Sequence, residues 1–252
     1  MNDAEQHKLS KVPEVTLLFW VVKIAATTLG ETGGDAVSMS MKLGYLEGTA
    51  IFAAIFLVAV AAQVRARRFH PLVYWTTIIA TTTVGTTLAD FVDRSLGIGY
   101  AAGSSLLTVL LVASLATWYR ALGSISVDTL GSPRAEIFYW TTIMFSQTLG
   151  TALGDWTAAT AGLGYAGGAM VFSTLLGLVV AAYFWTGISR TVLFWSAFVL
   201  TRPLGAVVGD FLDKPLGSGG LAMNRYSASA VLVAFILTSL VVFKHRPARQ
   251  SH

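Results

Sequence analysis

The chain has 252 residues with 17 Lys or Arg and 13 Asp or Glu, a net charge of +4, and 54% hydrophobic against only 12% charged residues. That charged share is about half that of an ordinary soluble domain, and a mean hydropathy of +0.66 points to an integral membrane protein. No cysteine is present, which excludes disulfides, zinc–thiolate sites and thiol chemistry.

Residues 1–13 read as a polar N-terminal tail without the basic start and short apolar core of a cleavable signal peptide. The transmembrane domain then runs over 14–244, with repeats of about 14–70, 71–132, 133–187 and 188–244, and a polar tail closes the chain at 245–252. Each repeat offers two apolar stretches near the roughly 20 residues that span a bilayer as a helix. The first helices fall near 15–35, 71–91, 136–155 and 190–210, and the second near 47–64, 102–119, 167–186 and 226–243. Between them lie tight turns at Leu43-Gly44-Tyr45, Gly97-Ile98-Gly99-Tyr100, Leu163-Gly164-Tyr165 and Gly217-Ser218-Gly219-Gly220. The expected fold is an all-α integral membrane protein with eight transmembrane helices from four tandem two-helix repeats. An even number of spans per repeat keeps all repeats in one orientation, so the pseudo-twofold or fourfold axis runs along the membrane normal, with the first helices at the centre.

Lys8, Lys11, Arg65, Arg67, Arg68, Arg120, Arg134, Arg190, Lys244, Arg246 and Arg249 lie in tails and between repeats. Only Lys42, Arg94, Lys214 and Arg225 lie on the opposite side. The positive-inside rule then places both termini in the cytoplasm. Trp20, Trp75, Trp140 and Trp195 fall at the inner ends of the first helices, where aromatic belts anchor spans. Lys23, one turn beyond Trp20, reaches the inner interface by snorkelling in this reading. The four histidines, His7, His70, His245 and His252, all lie in tails or a loop, which speaks against an intramembrane haem or soft-metal site.

In every repeat a glycine follows the tryptophan by ten residues and an aspartate follows by fifteen: Gly30/Asp35, Gly85/Asp90, Gly150/Asp155 and Gly205/Asp210. Fifteen residues of helix is about 22 Å, which puts all four carboxylates in the outer part of the bilayer. Acids in such segments are costly and usually functional. The aspartates are spaced by 55, 65 and 55 residues, so the duplicated unit is a pair of repeats 120 residues long. Four and seven or eight positions before each aspartate lie on its helical face. Those places hold Glu31, Thr28 and Thr27; Thr86, Thr83 and Thr82; Thr151, Thr148 and Gln147. In repeat four they hold Ala206, Pro203 and Arg202. Pro203 is expected to break or kink its helix. Asp93-Arg94 and Asp213-Lys214 read as exposed helix-end ion pairs.

Carboxylate and hydroxyl oxygens are hard ligands suited to Mg, Mn, Ca or Na ions, or to protons. The candidate ion-binding set is Asp35, Asp90, Asp155, Asp210 and Glu31, the same five as metal ligands, with Thr28, Thr83, Thr148 and Gln147 in support and Arg202 as counter-ion or gate. The expected partners are the lipid bilayer and a small cation, with no nucleic acid; no Ser/His or metal–His constellation suggests an enzyme. The alternative makes the aspartates structural ties at helix ends in a sensor or assembly module.

Lys11-Val12-Pro13-Glu14-Val15-Thr16, Phe19-Trp20, Gly30-Glu31-Thr32, the Tyr-Trp pairs at 74–75 and 139–140, and Arg202-Pro203-Leu204-Gly205 resemble the bacterial DUF347-repeat membrane proteins across nearly the whole chain. The resemblance implies a multi-span inner-membrane protein of about four tandem repeats and carries no activity with it. Glu31-Thr32-Gly33-Gly34-Asp35 is more loosely similar to the Glu-x-Gly-Asp signature of a manganese/calcium transporter family, with one residue more. The combined expectation is a small cation transporter or channel with an outward-facing vestibule lined by the five acids.

Overall fold

A computed structural model describes residues 9–127, 130 and 132–249. Eight long helices follow one another: α1 (Leu17–Asp35), α2 (Tyr45–Arg65), α3 (Pro71–Asp90), α4 (Tyr100–Leu122), α5 (Pro133–Asp155), α6 (Gly164–Trp185), α7 (Arg190–Asp213) and α8 (Arg225–Val242). Their starts have local causes. Thr16 and Ser132 accept hydrogen bonds from the Phe19 and Ala135 amides at 3.3 and 3.2 Å, and Asn224 does the same for Tyr226 at 2.9 Å. Pro71 and Pro133 occupy the first helical turn, where the missing N–H costs nothing. Ser132 starts α5 three residues before the periodicity suggests.

The odd-numbered helices end at aspartate in repeats one to three, and the chain then widens into a single π-type turn, Ala36–Ser40, Phe91–Ser95 or Trp156–Thr160. Gly44 (φ +84°) and Gly99 (φ +79°) then reverse the chain in a conformation that only glycine adopts cheaply. Repeat four departs from this: α7 runs unbroken through Pro203 to Asp213. The expected break is absent, because the surrounding ring packs the helix on both sides of the proline.

Helices α1, α3, α5 and α7 form a closed ring, each packed on the next and α7 on α1. The even helices clothe this ring in a handed-on order: α2 lies on α3, α4 on α5, α6 on α7, and α8 returns to α1. Each repeat therefore covers the inner helix of its successor, and the last covers the first. The closure is completed by a two-stranded antiparallel pair between β1 (Leu9–Pro13) and β2 (Pro247–Arg249). The Ser10 hydroxyl (to the Val127 carbonyl of the α4–α5 connection), the Lys11 ammonium (to the Val64 carbonyl of α2 and to Glu136 of α5) and the Gln63 amide of α2 (to the Lys11 carbonyl) fix the pair to the bundle at 2.6–3.0 Å. The tails thus carry ordered structure close to the helices; His7, Lys8 and His252 lie outside the described residues.

Among the described residues five helices, α2, α4, α6, α7 and α8, are long and apolar enough to cross a membrane. The apolar windows of α2 and α6 are only 11% buried, whereas that of α7 is 67% buried. The outer helices thus turn apolar surface outward, as lipid-facing helices do. The remaining three, α1, α3 and α5, are members of the inner ring whose Thr, Gly and acidic residues lower their hydropathy while facing protein.

Glycines set the distance between ring helices. A Cβ on Gly30 would strike the Thr82 side chain, one on Gly85 the Gln147 backbone at 3.0 Å, one on Gly150 the Arg202 side chain and one on Gly205 the Thr27 side chain. These are the repeat-equivalent glycines, each abutting the residue eight places before the next aspartate in the cycle. Small residues at such crossings let membrane helices approach closely.

Candidate functional site

The ring interior is layered. Phe19, Tyr74, Tyr139 and Phe194 with Trp75, Trp140 and Trp195 form its inner floor, all buried and in edge or tilted ring contact, and the Tyr74 and Tyr139 hydroxyls join at 2.8 Å. Three of the four repeat tryptophans are therefore core residues rather than interfacial anchors, because their helix face meets the neighbouring ring helix; Trp20 alone is part-exposed. One layer further out stand Ile78, Ile143, Phe198 and Lys23, each fully buried. The expected snorkelling of Lys23 does not occur. Its ammonium lies 3.8 Å over the Phe198 ring and 3.2 Å from the Thr201 hydroxyl.

Above this lies an arginine on the ring axis. Arg202 is completely buried, and its Nη2 donates to Glu31 Oε2 at 2.9 Å, to Thr86 Oγ1 at 2.6 Å and to Thr151 Oγ1. Glu31, Thr86 and Thr151 are the repeat-equivalent residues of the three other ring helices. One guanidinium from repeat four thus ties all three partners. The Thr86 hydroxyl also reaches the Gly30 carbonyl at 3.1 Å.

The four aspartates occupy the outermost layer. Asp35, Asp90, Asp155 and Asp210 are 0, 2, 5 and 2% exposed. They do not line an open vestibule; the space between them is filled by cations from the ends of the even repeats. Arg94 holds Asp90 through Nε at 2.8 Å and Asp155 through Nη2 at 3.1 Å. Lys214 holds Asp210 at 2.9 Å and also Asp35. Each bridging cation sits four residues after its own aspartate, on the same helical face, and reaches the aspartate of the following repeat. The pattern is twofold, in step with the 120-residue duplication.

The expected Asp93–Arg94 and Asp213–Lys214 surface pairs are consequently replaced. Asp93 is buried against α4, where a Cβ on Gly103 would strike its carboxylate. Asp213, also buried, takes Arg225 at 2.7 Å, with Lys214 at 3.8 Å. Arg225 extends to Asp35 at 3.7 Å. Sequence reasoning weighed each acid against its immediate neighbour and so missed Arg94, Lys214 and Arg225 as bridges. The signal lay in the i,i+4 spacing of Asp90/Arg94 and Asp210/Lys214.

The supporting residues divide. Thr28, Thr83 and Thr148 donate their hydroxyls to Ile24, Ile79 and Met144 carbonyls of their own helices at 3.0, 2.8 and 2.9 Å, as threonine does in membrane helices. Both amide atoms of Gln147 are buried without a hydrogen-bond partner among the described residues. Carboxyl groups converge in two triads, Glu31–Asp35–Asp90 and Asp35–Asp210–Asp213, each able to offer oxygens within 4.8 Å of one another. Such sets match hard cations, which take oxygen ligands at about 2.0–2.6 Å. In and beside the aspartate layer, six buried carboxyl groups (the four aspartates, Asp93 and Asp213) meet three cationic side chains, Arg94, Lys214 and Arg225, among the described residues. Excess acid in a desolvated layer must be met by protons or by a bound cation.

A family model described as a repeat of unknown function, DUF347, matches four tandem stretches, residues 18–69, 73–123, 138–189 and 193–247. No curated protein and no solved structure matches the chain. The four matched stretches coincide with the four helix pairs that close the ring, and the chain belongs to the DUF347 repeat family.

Proposed function

We propose that this is a multi-pass protein of the bacterial inner membrane, with all eight long helices spanning and both termini cytoplasmic, that moves a proton or a hard cation through its acid layer. The observation that carries this reading is the imbalance at the aspartate end of the ring, where six buried carboxyl groups meet three cations among the described residues. Burying so many acids in an apolar bundle is costly, and a cation or proton that exchanges with Lys214 and Arg94 gives that cost a use. The closed floor of Trp75, Trp140 and Trp195 corresponds, on this reading, to a state shut toward the cytoplasm. Among the described residues no nucleophile–base pair suggests chemistry on a substrate, and we read the protein as a carrier rather than an enzyme.

Reconstitution into proteoliposomes tests this with pH-sensitive and divalent-cation-sensitive dyes. Flux should fall at least tenfold in Asp35→Asn and Asp90→Asn. Unchanged flux in all four aspartate-to-asparagine variants would remove the reading.

The cross-repeat bridges of Arg94 and Lys214 favour a second reading, in which the aspartates tie helices of a non-transporting sensor or assembly module. It is separated from the first by an outcome in which the same variants melt earlier while the wild type carries no flux of any ion offered.

A further inference from the structure

Between the aromatic floor and the aspartate layer, the ring helices carry two cationic side chains, Lys23 and Arg202, and one carboxyl group, Glu31. All three are at most 2% exposed. The Glu31 carboxylate is engaged by Nη2 of Arg202, while Nε and Nη1 of the same guanidinium have no hydrogen-bond partner among the described residues. Nor do the Thr82 hydroxyl, the Gln147 Nε2 and the Gln147 Oε1. These groups belong to a single layer. Thr82 packs on Gly30, Gln147 on Gly85 and Arg202 on Gly150, at equivalent places on three consecutive ring helices, and all three residues are fully buried.

Unpartnered polar groups in a dry interior cost about 1–3 kcal/mol each, more when charged, so this many in one layer point to a ligand. The ligand's sign follows from the available atoms. Of the unpartnered groups, guanidinium N–H, amide N–H and hydroxyl O–H donate and only the Gln147 Oε1 is confined to accepting; the guanidinium is permanently charged, and the Lys23 side-chain nitrogen stands one layer inward. A metal cation would meet the guanidinium's repulsion here; a small anion would satisfy the donors and favour the ammonium form of Lys23. Its size is limited by the enclosure on every side by ring helices.

We propose that the Arg202–Gln147–Thr82 layer is a binding site for one monovalent anion of halide size, with Lys23 contributing its charge from below. The site lies inward of the acid layer and stands independently of the transport reading: it holds whether or not the aspartates carry a cation.

The test is thermal unfolding of the purified full-length protein in detergent, at fixed ionic strength, in sodium bromide, sodium chloride or sodium gluconate, whose anion is too large for the layer. Halide should raise the melting temperature by several degrees in a saturable manner, as any ligand bound only to the folded state does. Half-saturation should shift at least tenfold in Gln147→Leu and in Lys23→Met, both of which keep side-chain volume; Arg202→Gln, should it fold, should lose the effect. No halide-dependent shift in the wild type, or the same shift in Gln147→Leu as in the wild type, overturns the proposal. Crystals soaked in bromide supply a second readout, an anomalous peak beside Arg202 and Gln147; a wild-type peak elsewhere alone overturns it as well.

Discussion

At the outer end of the ring Asp35, Asp90, Asp155 and Asp210 meet Arg94, Lys214 and Arg225, while fifteen residues inward on the same helices Trp75, Trp140 and Trp195 pack against Phe19, Tyr74, Tyr139 and Phe194. The two ends are equally buried yet held by different forces. The floor gains from apolar contact, which is tolerant of direction. The outer layer depends on paired charges whose desolvation is offset only while both partners are present. Arg202 stands between them and joins the four helices through one guanidinium. Floor and waist hold the four helices together directly, and on the transport reading proposed above it is the outer layer that would exchange partners.

The largest effect is expected at the waist. Arg202→Met strands the buried Glu31 carboxylate and should destabilise by about 3–5 kcal/mol. Adding Glu31→Gln should recover most of it, which a double-mutant cycle of thermal or denaturant unfolding would check. Next comes the floor: Trp195→Ala removes a buried ring and its Nε1–H bond to the Ile125 carbonyl at 3.0 Å and should cost about 3–4 kcal/mol, with no change in any ion dependence of stability. In the outer layer, Lys214→Met should cost more than Arg94→Met, since the side chains are 11% and 32% exposed. The former should cost about 2–4 kcal/mol and the latter about 1 kcal/mol, because solvent screens the more exposed pair. If the order reverses, the two seams are not related as their shared geometry suggests. The smallest effect should come from His245, outside the helices that span, whose imidazole burial holds below its ordinary titration range. A depressed histidine stabilises the fold when neutral, so stability should fall slightly as pH drops through about 6.5, and His245→Gln should flatten that slope.

Much of the architecture was legible because it depends on periodicities. The Trp/Gly/Asp frame located four repeats, and the 120-residue spacing anticipated that Arg94 and Lys214 would act alike, although not what they hold. Helix ends were read to within about four residues. The misreadings share one cause. Trp75, Trp140 and Trp195 as anchors and Lys23 as a snorkelling side chain were judged from depth along one helix, and Asp93 as a surface acid from its neighbour Arg94. Rotation about the helix axis relative to neighbours decides burial, and depth does not contain it. Of the break or kink expected at Pro203 from local propensity, the packed ring overrides the break.

The repeat frame alone was enough to show four copies of a helix pair, acids toward one end of each first helix and aromatics toward the other, and a polar stripe broken in repeat four by Arg202. That each outer helix clothes the next repeat's inner helix, that the last returns to the first, and that Arg202 bonds to all three other ring helices emerges from the folded bundle alone. The reason is physical. Composition and period act within one helix, whereas ion pairing and glycine-mediated approach depend on which helices the ring brings face to face.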